Sequence, residues 1–148
     1  MDASRREVMG RIVVDPRICT GCRYCEIVCS LFHEKVVSPK KARIRVTSDI
    51  LKGVDTPKVC HQCANPPCMK ACQQGAIQFD ETLKIPIVLE DKCIGCKACV
   101  EACPFGEMFF DQERNIALKC DLCHGNPQCT KFCRALPHIR RAAITYHP

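Results

Sequence analysis

The chain has 148 residues, sixteen of them cysteine, with two Tyr, six Phe, no Trp and a formal charge of +6. That length allows one compact domain or two small intertwined modules and excludes a large multidomain catalyst. So few aromatics exclude a conventional apolar core as the main source of order, and no run approaches the length of a membrane span.

Met1 to Val14 contains no apolar run fit for a signal peptide, so a cytoplasmic location is expected. Ser4-Arg5-Arg6 hints at a twin-arginine signal, but Gly10-Arg11-Ile12-Val13-Val14-Asp15-Pro16 follows in place of a long apolar stretch. Arg11 to Val14 reads as a strand entering a first cysteine run, Cys19, Cys22, Cys25 and Cys29, spaced C-x2-C-x2-C-x3-C. A short helix is expected over Val28 to Glu34, and Lys40-Lys41-Ala42-Arg43 forms a local basic patch.

The second run, Cys60, Cys63, Cys68 and Cys72, stretches the middle gap to C-x2-C-x4-C-x3-C, with Pro66 and Pro67 stiffening the excursion. A short helix over Met69 to Cys72 and a tight turn at Gly75-Ala76-Ile77 should follow it. Ile85 to Leu89 reads as a strand entering the third run, Cys93, Cys96, Cys99 and Cys103, which repeats the first spacing and adds Pro104. Ala98 to Cys103 is a third short helix, and Pro104-Phe105-Gly106 a turn. Phe109-Phe110, Asp111 to Asn115 and Ile116-Ala117-Leu118 predict a hairpin. It leads into the fourth run, Cys120, Cys123, Cys129 and Cys133, spaced C-x2-C-x5-C-x3-C, with a turn at Gly125, Asn126 and Pro127. Arg140-Arg141 is the other basic patch.

The third spacing is the ligand run of a bacterial-type [4Fe–4S] ferredoxin. Three thiolates must reach three irons on one face of a compact cube, so they come from one tight loop, while the fourth points toward the cluster of a partner run. Four runs therefore imply four [4Fe–4S] clusters, and four clusters in one small chain imply an electron wire. An oxidised cluster on four thiolates carries about −2. Four of them take the formal charge from +6 to about −2, so the excess of Lys and Arg balances buried cluster charge rather than marking a nucleic-acid partner.

Rival uses of the cysteines fit less well. Disulfides do not need four cysteines within about a dozen residues, repeated four times. Structural zinc usually joins two separated C-x2-C pairs and does not need a third cysteine so soon after the second. Cys120-Asp121-Leu122-Cys123-His124 matches the c-type haem attachment pattern, but both cysteines complete the fourth run, which leaves His124 as a turn residue or a polar neighbour of a cluster.

From Cys60 to Phe110 the chain repeats itself as run, Gly-Ala-Ile turn, strand, run, Pro-Phe-Gly turn. The second and third runs are natural partners, and the first and fourth pair around them. The expected fold is α+β: two intertwined bacterial ferredoxin-like modules, with short strands and helices around buried iron–sulfur clusters. The outer module spans 1–52 plus 111–148, and the inserted one 53–110. Bonds to iron must supply much of the order, so the chain without metal should be poorly folded.

The order of runs, with Cys60-His61-Gln62-Cys63-Ala64-Asn65-Pro66-Pro67-Cys68 and Lys119-Cys120-Asp121-Leu122-Cys123, resembles the four-cluster ferredoxin subunits of molybdenum and tungsten oxidoreductases. The iron–sulfur subunits of dimethyl sulfoxide reductase and formate dehydrogenase belong to that group. The brevity, the compact fourth run and the lack of a membrane tail look most like the small subunits of tungsten enzymes of the aldehyde ferredoxin oxidoreductase type, class II benzoyl-coenzyme A reductase among them. The resemblance implies four ligand sets: Cys19, Cys22, Cys25 and Cys133; Cys29, Cys120, Cys123 and Cys129; Cys60, Cys63, Cys68 and Cys103; Cys72, Cys93, Cys96 and Cys99. Ser30, Gln73 and Arg134 stand where a proline often follows the last cysteine of a run.

Arg23, Lys70, Lys97, Lys131 and Arg134 lie inside or beside the runs, where a cation would favour the more negative reduced cluster or simply be solvated. No phosphate-cradling loop, H-E-x-x-H helix, flavin or nicotinamide fingerprint is present. The expected function is non-catalytic: an electron-transfer subunit between a large tungsten- or molybdenum-pterin catalytic subunit and a second partner, a flavin subunit or a soluble ferredoxin. A free polyferredoxin shuttle is the alternative, and a structural zinc protein the third reading.

Overall fold

The computed structural model describes residues 10–133 and 141–148; Ser4-Arg5-Arg6, Arg134 and Arg140 lie outside the described residues. Short strands and short helices alternate, and the described strands form two-stranded antiparallel sheets. The strand expected at Arg11–Val14 is β1; it pairs with β8 (Ile144–His147), Ile12 opposite Tyr146 and Val14 opposite Ile144. Strands β2 (Ile44–Asp49) and β3 (Val54–Val59) make a hairpin the pattern reading did not anticipate. Pro57 sits inside it opposite Val46, which is tolerated because each strand of a two-stranded sheet has a free edge. Strands β4 (Ile77–Asp80) and β5 (Ile85–Val88) pair, as do β6 (Phe109–Asp111) and β7 (Ile116–Leu118), the expected hairpin. Asp111 closes the last turn by accepting the backbone N–H groups of Glu113 and Arg114.

The helices obey one rule set by the cysteines. α1 (Tyr24–Glu34), α2 (Pro67–Ala71), α3 (Ala98–Ala102) and, beyond the single distorted turn α4 (Leu122–Gly125), α5 (Gln128–Phe132) each carry the third cysteine of a run as their second residue. The fourth cysteine follows four residues later: Cys29 inside α1, and Cys72, Cys103 and Cys133 as the extended residues that end α2, α3 and α5. Helix α1 starts at Tyr24 rather than Val28, and α2 at Pro67 rather than Met69. The reason lies in the entry. Arg23 and Lys97 take left-handed conformations, φ 60° and 63°, immediately before α1 and α3. In the longer second and fourth runs, prolines do this work: Pro66 caps α2 with Pro67 at its first position, and Pro127 caps α5. Helix α3 ends at Ala102 because Cys103 is already extended before Pro104.

A second regularity lies inside each first C-x2-C pair. The residue before the second cysteine is left-handed in every run: Gly21 (φ 66°), Gln62 (52°), Gly95 (76°) and Leu122 (55°). In the first and third runs glycine is also forced by space. A Cβ at Gly21 would stand 2.6 Å from the Asp55 carboxylate on β3, and one at Gly95 would stand 2.3 Å from the Asn115 amide in the β6–β7 turn.

Helix α1 packs on α5, and α2 on α3. The cysteines are themselves core: Cys25, Cys29, Cys120 and Cys129 share one apolar cluster with Ile12, Ile44, Val59, Ile85, Leu122 and Ile144. A smaller cluster joins Cys68 and Cys99 to Ile77, Met108 and Ala117. The basic patch at Lys40–Arg43 is not a free charged surface. Ala42 is fully buried and Arg43 is 9% exposed, with Arg43 paired to Glu34 and Glu90 and Lys41 to Glu113. Arg141 stands 3.5 Å from Asp15. No described helix is long and apolar enough to cross a membrane.

Gly95→Ala should cost well over the roughly 1–2 kcal/mol of a left-handed alanine, because Asn115 must also move. Gly75→Ala, at φ 62° with nothing within 4 Å, should cost only that strain. Guanidinium midpoints followed by visible absorbance without oxygen would check the order; equal midpoints would contradict it.

Candidate metal centre

None of the sixteen cysteines is paired in a disulfide; seven are buried, and only Cys22 and Cys96 are exposed. Burial pushes the thiols up: Cys25 to about 12, and Cys68, Cys99 and Cys123 to about 11. Cys19, Cys63, Cys120 and Cys129 rise for the same first cause. A thiolate in these places requires a strong partner, and a metal ion that displaces the proton is one.

Repulsion between neighbouring sulfurs adds to burial and shows which thiols come together. Cys133 and Cys22 act on Cys19, and Cys19 and Cys22 act on Cys25. Cys29 acts on Cys123, and Cys29 and Cys123 act on Cys129, which acts on Cys120. Cys60 and Cys103 act on both Cys63 and Cys68. Cys93 and Cys72 act on Cys99. Three further contacts cross between these groups: Cys25 with Cys129, Cys60 with Cys120, and Cys68 with Cys99.

The cavities fit a sulfur-held inorganic group. One is lined by Cys72, Cys93, Cys96 and Cys99, another by Cys60, Cys63, Cys68 and Cys103. Backbone N–H groups point at sulfur, as a cluster's thiolates need: Arg43 to Cys29 at 3.1 Å, and Gln62 to Cys60, Glu107 to Cys103 and Ala117 to Cys93 at 3.4 Å.

The cations named from sequence divide. Arg23 binds the buried Glu26, whose carboxylate also accepts the Val46 N–H, and Lys97 lies over the Phe110 ring. Lys70 and Lys131 are exposed. The cation that sequence reading passed over is Lys119, 3% exposed. Its Nζ donates to the Gln62 side-chain oxygen at 2.8 Å and reaches the Cys120 carbonyl at 3.4 Å. Its signal was there: a lysine directly between Ile116-Ala117-Leu118 and a cysteine. His124, the residue of the haem-like pattern, is left-handed and largely exposed, a turn residue with Asp121 Oδ2 at 3.5 Å.

His33 on α1 faces two acceptors, the Cys29 carbonyl at 2.9 Å from Nδ1 and Asp121 Oδ1 at 2.8 Å from Nε2. Neither partner can donate, so the ring needs both protons. Burial opposes that charge, yet the bonds to Asp121 and Cys29 outweigh it and raise His33 to about 9. Burial likewise opposes the Asp121 carboxylate, and His33 holds it below its usual value.

A family profile described as a 4Fe-4S dicluster domain matches residues 52–139. The polyferredoxin-like subunit of the aliphatic sulfonate oxidoreductase of Pyrococcus furiosus is 40% identical over 139 residues, 93% of this chain and 80% of that one. Electron transport protein HydN of Escherichia coli is 33% identical over 147 residues, 82% of each chain. Among solved structures, the active-site complex BamBC of benzoyl coenzyme A reductase superposes with a TM-score of 0.53 at 24% identity, covering 95% of this chain and 78% of that one. At that identity it speaks for the fold, which is ferredoxin-like.

Removing the buried pair with His33→Leu should destabilise by about 1–3 kcal/mol. The stabilisation by His33 is complete below its unfolded value near 6.5 and is lost as pH rises through about 9. The gap between wild type and His33→Leu in guanidinium midpoint should therefore be wide at pH 6 and close above pH 9. A gap independent of pH would contradict a charged His33.

Proposed function

The chain belongs to the 4Fe-4S dicluster family of iron–sulfur electron-transfer proteins, and from that premise we propose that it carries four [4Fe–4S] clusters as the non-catalytic electron-transfer subunit of a cytoplasmic oxidoreductase complex. Each cluster, when bound, supplies one-electron transfer. Cys19, Cys22, Cys25 and Cys133 hold the first; Cys29, Cys120, Cys123 and Cys129 the second; Cys60, Cys63, Cys68 and Cys103 the third; Cys72, Cys93, Cys96 and Cys99 the fourth. The observation that carries the reading is that Cys72, Cys93, Cys96 and Cys99 line one cavity and Cys60, Cys63, Cys68 and Cys103 another. The neighbouring thiols Cys25 and Cys129, Cys60 and Cys120, and Cys68 and Cys99 support links from first to second, second to third and third to fourth.

That order runs in one line. Exposed Cys22 falls in the first set and exposed Cys96 in the fourth, while all four ligands of the second set are buried. Electrons then enter at one end and leave at the other, with the middle kept from solvent. The packing of α1 on α5 and α2 on α3 supports the nested division into an outer module of residues 1–52 plus 111–148 and an inserted module of 53–110. A catalytic oxidoreductase subunit at one end is supported by the relative that is itself an oxidoreductase's polyferredoxin-like subunit; our reading of the cysteine runs makes it a large tungsten- or molybdenum-pterin subunit, with a flavin subunit or soluble ferredoxin at the other end. A free shuttle is the second reading, favoured by the relative named simply as an electron transport protein.

Protein purified without oxygen should hold about sixteen irons and as many sulfides per chain, with a tungsten- or molybdenum-containing subunit attached. Full iron on a chain that purifies alone would favour the shuttle, and zinc in place of iron would overturn both. Cys133→Ala should cost the first cluster, up to about four irons, and spare the signals of the third and fourth.

A further inference from the structure

Lys119 is nearly sealed from solvent, yet its hydrogen-bond partners are neutral: the Gln62 amide oxygen and the Cys120 carbonyl. Among the described residues no carboxylate forms an ion pair with it. A buried ammonium without a counter-charge is costly. A cavity it shares with Asp80, Glu90 and Asp121, none of which is within ion-pair distance of it, lies on one side, and cysteine sulfur lies on the other. Lys119 lines the cavity of Cys60, Cys63, Cys68 and Cys103, and its Nζ approaches the backbone of Cys120, a ligand of the neighbouring set.

Gln62 is built to hold it there. The residue is 2% exposed and left-handed, φ 52°, the conformation that glycine supplies at the same place in the first and third runs. Its side-chain oxygen takes the Lys119 ammonium and its side-chain N–H donates to the Cys120 carbonyl at 2.9 Å. One amide thus ties the second cysteine run to the start of the fourth.

We infer that Lys119, positioned by Gln62, is the shared counter-cation of the second and third ligand sets and raises both reduction potentials together. This rests on the four-cluster reading above. An electron crossing between those sets leaves one negative centre and arrives on the next, with no bond made or broken. A cation facing both sides stabilises the electron before and after the step, so it lifts the middle of the line without setting one site against the other. Arg23, Lys70, Lys97 and Lys131 have no such place: each is partly or fully exposed.

The test is a redox titration followed by electron paramagnetic resonance on anaerobic holoprotein, with iron measured on every sample. In Lys119→Met two of the four couples should become at least tenfold harder to reduce, about 59 mV for one electron, while the other two stay. Lys119→Arg should keep the wild-type values. Should Lys119→Met lose iron, Gln62→Glu decides, since a carboxylate against the ammonium should lower the same two couples with full iron. Unchanged couples, or an equal shift of all four, in an iron-replete variant would overturn the inference. Wild-type protein with fewer than four clusters would instead refute the reading beneath it.

Discussion

A thiol taken out of water resists ionising, and this chain takes seven fully out and most of the others partly. Without metal the interior would hold neutral thiols as small apolar groups around Ile44, Ile85, Leu118 and Leu122. Iron exchanges those protons for bonds to sulfur, so loading and folding are one equilibrium. Much of the architecture follows from delivering sulfur to fixed points. Helices need only be long enough to carry two cysteines one turn apart, and strands need only return the chain to the next run.

The four runs are variations on one frame. The first and third enter their helices through left-handed Arg23 and Lys97 and use glycine before the second cysteine. The second and fourth lengthen the middle gap, enter through proline, and place Gln62 and Leu122 where glycine stands in the others. The elaborated runs are those that meet at Lys119. Gln62 and Leu122 both hold the left-handed position without glycine, and of the two it is Gln62 whose side chain bonds Lys119 and the Cys120 carbonyl. The donors to sulfur are backbone N–H groups, with the His33 ring beside Cys29 Sγ at 3.8 Å.

Much of this was legible in the residues. Cysteine spacing is dictated by the shape of the group it binds, so the runs, the third helix, β1 and the β6–β7 hairpin could be read directly. The β2–β3 hairpin was obscured by Pro57, which breaks the expected strand pattern yet sits harmlessly on a free edge. The β1–β8 pair joins segments some 130 residues apart, as Ile12 with Tyr146, and local pattern carries no record of such a partner. Burial of charge was the hardest to read. Lys40-Lys41-Ala42-Arg43 looks like a surface patch in sequence, but Glu34 and Glu90 draw Arg43 inward. Lys119 looks like any lysine, and only the fold places it in the wall of the cavity of Cys60, Cys63, Cys68 and Cys103.

The most direct test is diffraction at the iron absorption edge from crystals grown without oxygen. The account predicts sixteen iron positions in four compact groups, arranged in one line. Cys25 and Cys133 would share the first group, and Cys29 would ligate the second with Cys120, Cys123 and Cys129. Fewer groups, or Cys29 bound to the same group as Cys19, Cys22 and Cys25, would contradict it.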